Sequence, residues 1–148
     1  MRHCVTVLVI TAALAPASAN ASDCRLTPKD VVTKFMTKFY VEKKVREAFE
    51  TWVDPGYIQH NPMAETGRDA AIKFLEPFFA THPDVSYSIK RVIADGNLVA
   101  VHSHGKFAPA DRGIAVVDIL RVDGCKVMEH WDVVQPVPEK AANTNTMF

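Results

Sequence analysis

Five side chains capable of polar chemistry interrupt two β-rich runs near the end of the chain. Asp118 stands within Ile114–Val122, and Glu129, His130, Trp131 and Asp132 crowd Lys126–Val137. Carboxylates and imidazoles in such runs are either a solvated outer face or the polar floor of a pocket. On a floor surrounded by apolar side chains a carboxylate is raised toward neutral pKa and can act as a general base or acid.

Alternation along the strands divides the suspects. A turn at Asp123-Gly124 or at Gly124-Cys125 joins the runs, and glycine first suits a type II′ hairpin. In both registers Asp118, Glu129 and Trp131 share one face, and His130 and Asp132 share the other. The first set is expected to face inward, because Val116, Leu120, Val122, Val127 and Val133 accompany it. The competing reading puts Asp118 in solvent or in a salt bridge with Arg121 or Lys126.

His102 and His104 form an H-x-H on another strand-like run. With further ligands such a pair can bind a metal. No acid follows within the next few residues, and neither HExxH nor CxxC occurs, so no metal is expected. No nucleophile elbow, phosphate loop or dinucleotide fingerprint is present, and no organic cofactor is expected.

The elements that must position these groups follow from periodicity. Thr27-Pro28-Lys29-Asp30 reads as a capped helix start. Val31, Val32, Phe35, Met36, Phe39 and Tyr40 then recur at helical spacing. A second helix carries Val45, Ala48, Phe49 and Trp52, and Asp54-Pro55-Gly56 ends it. Tyr57 to Pro62 reads as a polar, aromatic connection. A third helix begins near Thr66-Gly67, with Asp69 placed like the acid of a capping box, and ends at His82-Pro83. Four strands follow: Val85–Ala94, Leu98–Phe107, Ile114–Val122 and Lys126–Val137. Helices first and antiparallel strands after is an α+β arrangement in one domain, with a polar tail over 139–148 expected to be flexible.

The 148 residues carry 17 basic and 17 acidic groups. That balance gives no basic surface for nucleic acid and no charge block for an anionic membrane. Residues 1–21 read as a signal peptide: Arg2, an apolar run from Val5 to Leu14, and small residues before a cleavage site after Ala21. After cleavage no membrane attachment is expected, and the protein is expected to be periplasmic or secreted. Cys4 leaves with the signal, and Cys24 and Cys125 remain as a pair in an oxidising compartment. A bridge would tie the mature N-terminus to the hairpin turn; two free thiols are the alternative.

Several segments together resemble a known family. Tyr57-Ile-Gln-His-Asn-Pro62, Gly67 before an apolar helix, Val101-His-Ser-His-Gly105, Asp118 to Gly124, and Glu129-His-Trp-Asp-Val-Val-Gln135 are similar to the SnoaL-like polyketide cyclase group. That group belongs to the nuclear-transport-factor-2-like superfamily. The resemblance covers Leu26 to Pro138, within a domain over 22–138. It implies a cone-shaped fold in which three N-terminal helices pack on a curved, mainly antiparallel sheet. It implies Asp118 as general acid/base, with His104 lining the same pocket. It also implies Tyr57, Gln59, His60 and Asn61 as polar walls, and Trp131 with the helix phenylalanines is expected to form an apolar wall. The family's chemistry is aldol closure without metal or organic cofactor. The expected function is therefore a cofactor-independent lyase or isomerase on a small apolar carbonyl compound, or a non-catalytic binder of a small ligand. Export sets the chain apart from cyclases whose polyketide substrates are made in the cytoplasm. The open sheet face, with Val117, Ile119 and Met128, can support a homodimer.

Overall fold

The computed structural model describes residues 24–148, and the signal peptide expected over 1–21 lies outside the described residues. Helix α1 spans Pro28–Met36. Thr27 and Asp30 close its first turn as a capping box, each side chain bonding the other's backbone amide. The helix continues into a π-helical turn, Thr37–Val41, which buries Phe39 and Tyr40. Helix α2 spans Val45–Trp52, and α3 spans Arg68–Thr81. The capping box expected at α3 does not form: Gly67 is the cap, Thr66 Oγ1 accepts from the Gln59 amide, and Asp69 turns to Arg68.

The sheet has five strands rather than the four expected. Strand β1 is Val53–Gln59, β2 Ser86–Asp95, β3 Leu98–Lys106, β4 Ile114–Asp123 and β5 Lys126–Pro136. Their order is β1-β5-β4-β3-β2, with β1 parallel to β5 and every other pairing antiparallel. Asp54-Pro55-Gly56 does end α2, but the chain runs directly into an edge strand. Pro55 hides β1 from a sequence reading, and an edge position is where a sheet tolerates proline. The pairing of β1 with β5 skips residues between Val53 and Ile58, which accommodates the interruption.

Helices α1 and α2, the π turn and α3 lie on one face of the sheet. Val31, Val32, Phe35, Phe49 and Phe79 meet Val99, Val101, Leu120 and Val127 in a single buried cluster. Each such side chain contributes roughly 1.5–3 kcal/mol on burial. Cys24 and Cys125 are bridged across a sequence separation of 101, with their Cα atoms 5.4 Å apart. The bridge fastens the start of α1 to the β4–β5 turn. Residues 139–148 form no helix or strand, and Phe148 stacks on His104 with ring centroids 4.1 Å apart. No described helix is long and apolar enough to cross a membrane.

Candidate active site

A β-bulge decides which polar groups meet. In the β4–β5 hairpin Asp123 pairs with Lys126 and Val122 with Val127, around a turn at Gly124-Cys125. The next pair is Arg121 with Glu129, so Met128 is an extra, unpaired residue. One extra residue inverts the alternation of everything beyond it. Leu120 now lies opposite His130, and Asp118 opposite Asp132, all on the inner face. Glu129 and Trp131 pass to the outer face. This corrects the expected partition, in which Glu129 and Trp131 accompanied Asp118 and the other two faced away.

Asp118 is only 3% exposed. Its Oδ1 lies 3.0 Å from His130 Nε2, and the Tyr40 hydroxyl lies 3.2 Å from both carboxylate oxygens. Tyr40 comes from the π turn, and such turns recur at functional sites. Burial first, then the charge of Asp118, push the Tyr40 pKa well above its ordinary value. The phenol therefore stays protonated and donates to the carboxylate.

The proton on His130 is placed by its neighbours. The backbone amide of Asn61 donates to Gln59 Oε1 at 2.9 Å, which fixes the orientation of the Gln59 side chain. That same oxygen lies 2.9 Å from His130 Nδ1. An oxygen only accepts there, so Nδ1 carries hydrogen. Nε2 then faces the Asp118 carboxylate, and two acceptors cannot sit 3.0 Å apart without a proton between them. The pair holds one proton in addition to that on Nδ1, as imidazolium–carboxylate or as imidazole–carboxylic acid. Gln59 also donates from Nε2 to the Tyr57 hydroxyl at 3.1 Å, leaving the Tyr57 hydrogen free to donate. Burial, followed by the charges of Asp118 and Asp132, raises the Tyr57 pKa far above the physiological range. Asp132 accepts from Asn61 Nδ2 at 3.0 and 2.7 Å.

These groups form the polar end of a cavity of about 200 Å³. Phe35, Phe39, Phe49, Leu75 and Phe79 supply its apolar walls, and Glu65 and Phe74 are the exposed residues among its lining. The lining brings together the expected Asp118, Tyr57, Gln59 and Asn61. It adds His130, Asp132, Tyr40 and Tyr87, to which no role was given from the sequence. Tyr87 stacks on Tyr40 at 4.0 Å, and its own pKa is raised by burial and then by Asp118.

His104 does not share this pocket. It follows Ser103, an inner-face residue of β3, and so points outward. There it meets the Arg112 carbonyl at 2.8 Å and the ring of Phe148. His60 and Trp131 also lie outside, stacked on each other at 4.4 Å. Glu129 joins them, reaching His60 at 3.2 Å and Arg121 at 2.6 Å. Hydrogen bonds to Arg121 and then His60 hold its carboxyl below the ordinary range.

His102 accepts from Arg91, and its pKa is lowered, by burial first and then by Arg91. Among the described residues the one group with metal-ligand chemistry is Asp118, His130 and Asp132, whose ligand atoms lie within 4.8 Å of one another. The hydrogen bonds from Tyr40 and Asn61, and the shared proton, already account for that arrangement. A sequence signal for His130 did exist. A buried carboxylate needs donors, and the paired strand offers a histidine beside it.

The model of the SnoaL-like domain family matches residues 32–130. The chain belongs to the SnoaL-like domain family. No curated protein matches this SnoaL-like chain in sequence. Solved structures match its fold. TsrD from Streptomyces laurentii is similar at 19% identity and TM-score 0.57, covering 71% of this chain and 88% of its own. IdmH, a candidate polyketide cyclase from Streptomyces antibioticus, is similar at 18% identity and TM-score 0.58, covering 74% and 92%. An NTF2-like protein from Cytophaga hutchinsonii is similar at 15% identity and TM-score 0.61, covering 77% and 95%. The SnoaL-like domain thus has the expected α+β, NTF2-like architecture.

Proposed function

We propose that this SnoaL-like protein is a cofactor-independent lyase or isomerase acting on a small, apolar, carbonyl-bearing compound. The observation that carries the reading is the contact of His130 Nε2 with buried Asp118 Oδ1, 3.0 Å apart, at the polar end of an apolar cavity. In the imidazolium–carboxylate form, Asp118 takes a proton from the carbon next to the substrate carbonyl. The carbonyl becomes an enolate, and the free Tyr57 hydrogen donates to its oxygen. The carboxylic acid formed at Asp118 returns the proton at a second carbon, giving an isomer. Alternatively the enolate attacks a second carbonyl, giving an aldol product whose alkoxide takes the proton. His130 offsets the charge of Asp118 through both steps. A buried, positioned acid/base of this kind contributes ~10²–10⁴-fold in rate.

The experiment is hydrogen–deuterium exchange next to the carbonyl in a panel of small ketones, followed by mass spectrometry. Asp118→Asn is expected to lower exchange by at least about a hundredfold with the fold intact. Unchanged exchange in that variant rejects the assignment. A protein that retains a ketone ligand but exchanges no proton is the non-catalytic binding protein instead.

The bridged cysteines and the signal-like residues 1–21 support a periplasmic or secreted location. The outer sheet face, where Val117, Ile119 and Met128 are joined by Val133 at 65% exposure, supports a homodimer, which a sizing experiment tests.

A further inference from the structure

The charges around the cavity do not balance. Asp118 and Asp132 lie at its inner end and Glu65 is among its exposed lining, while no Lys or Arg lines it among the described residues. Asp118 and His130 neutralise each other through their shared proton. Asp132 is hydrogen-bonded only by the neutral amide of Asn61, and the one positive charge within 4.8 Å, on His130, is already matched by Asp118. A carboxylate facing a confined, apolar space is costly unless a cation joins it. The walls add to the bias. Phe35, Phe39, Phe49, Phe78, Phe79 and Tyr87 line the cavity, and the negative faces of aromatic rings attract organic cations. The negative field is felt within the cavity, because Asp118 and Asp132 both contribute to raising Tyr57 and Tyr87.

We propose that the cavity selects a small organic cation, whose protonated amine pairs with Asp132 while its apolar body fills the aromatic walls. At about 200 Å³ the space suits a single-ring compound; sites for drug-sized ligands span ~300–1,000 Å³. The inference rests on the cavity being the functional site proposed above, and it refines the substrate to an amine-bearing carbonyl compound. It also answers an electrostatic difficulty. An enolate forming beside Asp132 is repelled by a second negative charge, and a substrate ammonium group between them removes that repulsion.

Three probes of matched size and different charge test it: phenylpropylammonium, phenylpropanol and phenylpropionate, measured by calorimetry on the bridged protein. The ammonium compound is expected to bind at least about tenfold more tightly than the alcohol, in line with a charge-assisted hydrogen bond worth ~1.5–3 kcal/mol. The carboxylate is expected to bind weakest. Asp132→Asn keeps the shape and a hydrogen-bonding group and should remove the preference for ammonium, leaving the alcohol's affinity within about twofold. Asp132→Glu, which keeps the charge, should retain the preference and serves if the first variant fails to fold. Equal or tighter binding of alcohol or carboxylate overturns the inference while leaving the acid/base reading standing. A preference that survives Asp132→Asn overturns it as well. If no probe binds, the inference falls, and ketone exchange then decides whether the acid/base reading falls with it.

Discussion

Gln59 Oε1 sits 2.9 Å from His130 Nδ1 and is held in that orientation by the Asn61 amide. One residue of the edge strand thereby sets which nitrogen of the catalytic candidate carries hydrogen. Gln59→Leu removes the acceptor and frees the imidazole to change tautomer. Losing a hydrogen bond to an ionised group costs about 1.5–3 kcal/mol, so turnover should fall about ten- to a hundredfold. Gln59→Glu keeps an acceptor and should recover part of the loss. Nitrogen-15 NMR of the His130 ring checks the cause: hydrogen should stay on Nδ1 in the parent and redistribute in the leucine variant.

The chain's 3 tyrosines, Tyr40, Tyr57 and Tyr87, all line the cavity, and all are raised in pKa with burial as the largest cause. In the unfolded chain they ionise near pH ~10. A group whose folded pKa is raised contributes stability that is full below the unfolded value and is lost as pH climbs above it. The protein should therefore hold its stability to about pH 10 and then weaken steeply. Tyrosinate absorbance should appear with unfolding rather than before it. Gradual ionisation of any tyrosine in the folded protein near its ordinary pKa would count against this burial.

Much of this was legible in the sequence, and each failure has a physical cause. The first helix was readable because Thr27-Pro28 supplies a start signal and the spacing of Val31, Phe35 and Phe39 a period. The inward position of Asp118 was suggested by Leu120 and Val122, which share its parity, but Val117 and Ile119 make the other face apolar too, and the family resemblance tipped the choice. The bridge between Cys24 and Cys125 was readable from counting. His130 and Asp132 were put on the wrong face, because Met128 leaves no compositional mark as a bulge and alternation carried across it inverts their direction. Strand β1 was missed because Pro55 and Gly56 are strand breakers, and only pairing with β5 makes the segment extended. His104 was misplaced for a different reason. The family resemblance implied its role, whereas its place next to inward-facing Ser103 sends it outward to Phe148.

The Cys24–Cys125 bridge closes a loop with a sequence separation of 101. In the chain-entropy model such a closure stabilises by about 4–5 kcal/mol. Cys125→Ser should lower the urea midpoint without changing the helix and strand content seen by circular dichroism. Reductant should lower the parent's midpoint to that of the variant and leave the variant itself unmoved. Intact mass should be about 2 Da lower before reduction than after, because forming the bridge removes two hydrogens. A midpoint insensitive to reductant would show that the bridge contributes nothing to stability.

The bulge gives the most demanding test. Deleting Met128 restores regular alternation, and one side of the hairpin must then shift. The turn side is anchored, since Cys125 is bridged to Cys24 and Val127 is fully buried against the core. The shift should therefore fall on the far side, carrying His130 and Asp132 to the outer face and bringing Glu129 and Trp131 inward. Asp118 would lose the His130 partner now 3.0 Å away, and a buried carboxylate left short of partners costs about 1–3 kcal/mol or more. Proton exchange in ketones should drop by at least about a hundredfold. Met128→Ala keeps the extra residue and should retain activity within about threefold, since Met128 is a half-buried outer residue and surface substitutions usually lie within ~0.5 kcal/mol. Trp131 fluorescence reports the geometry directly: it should shift to the blue in the deletion and not in the alanine variant. Full activity in the deletion would mean that the Asp118–His130 contact is not needed for exchange.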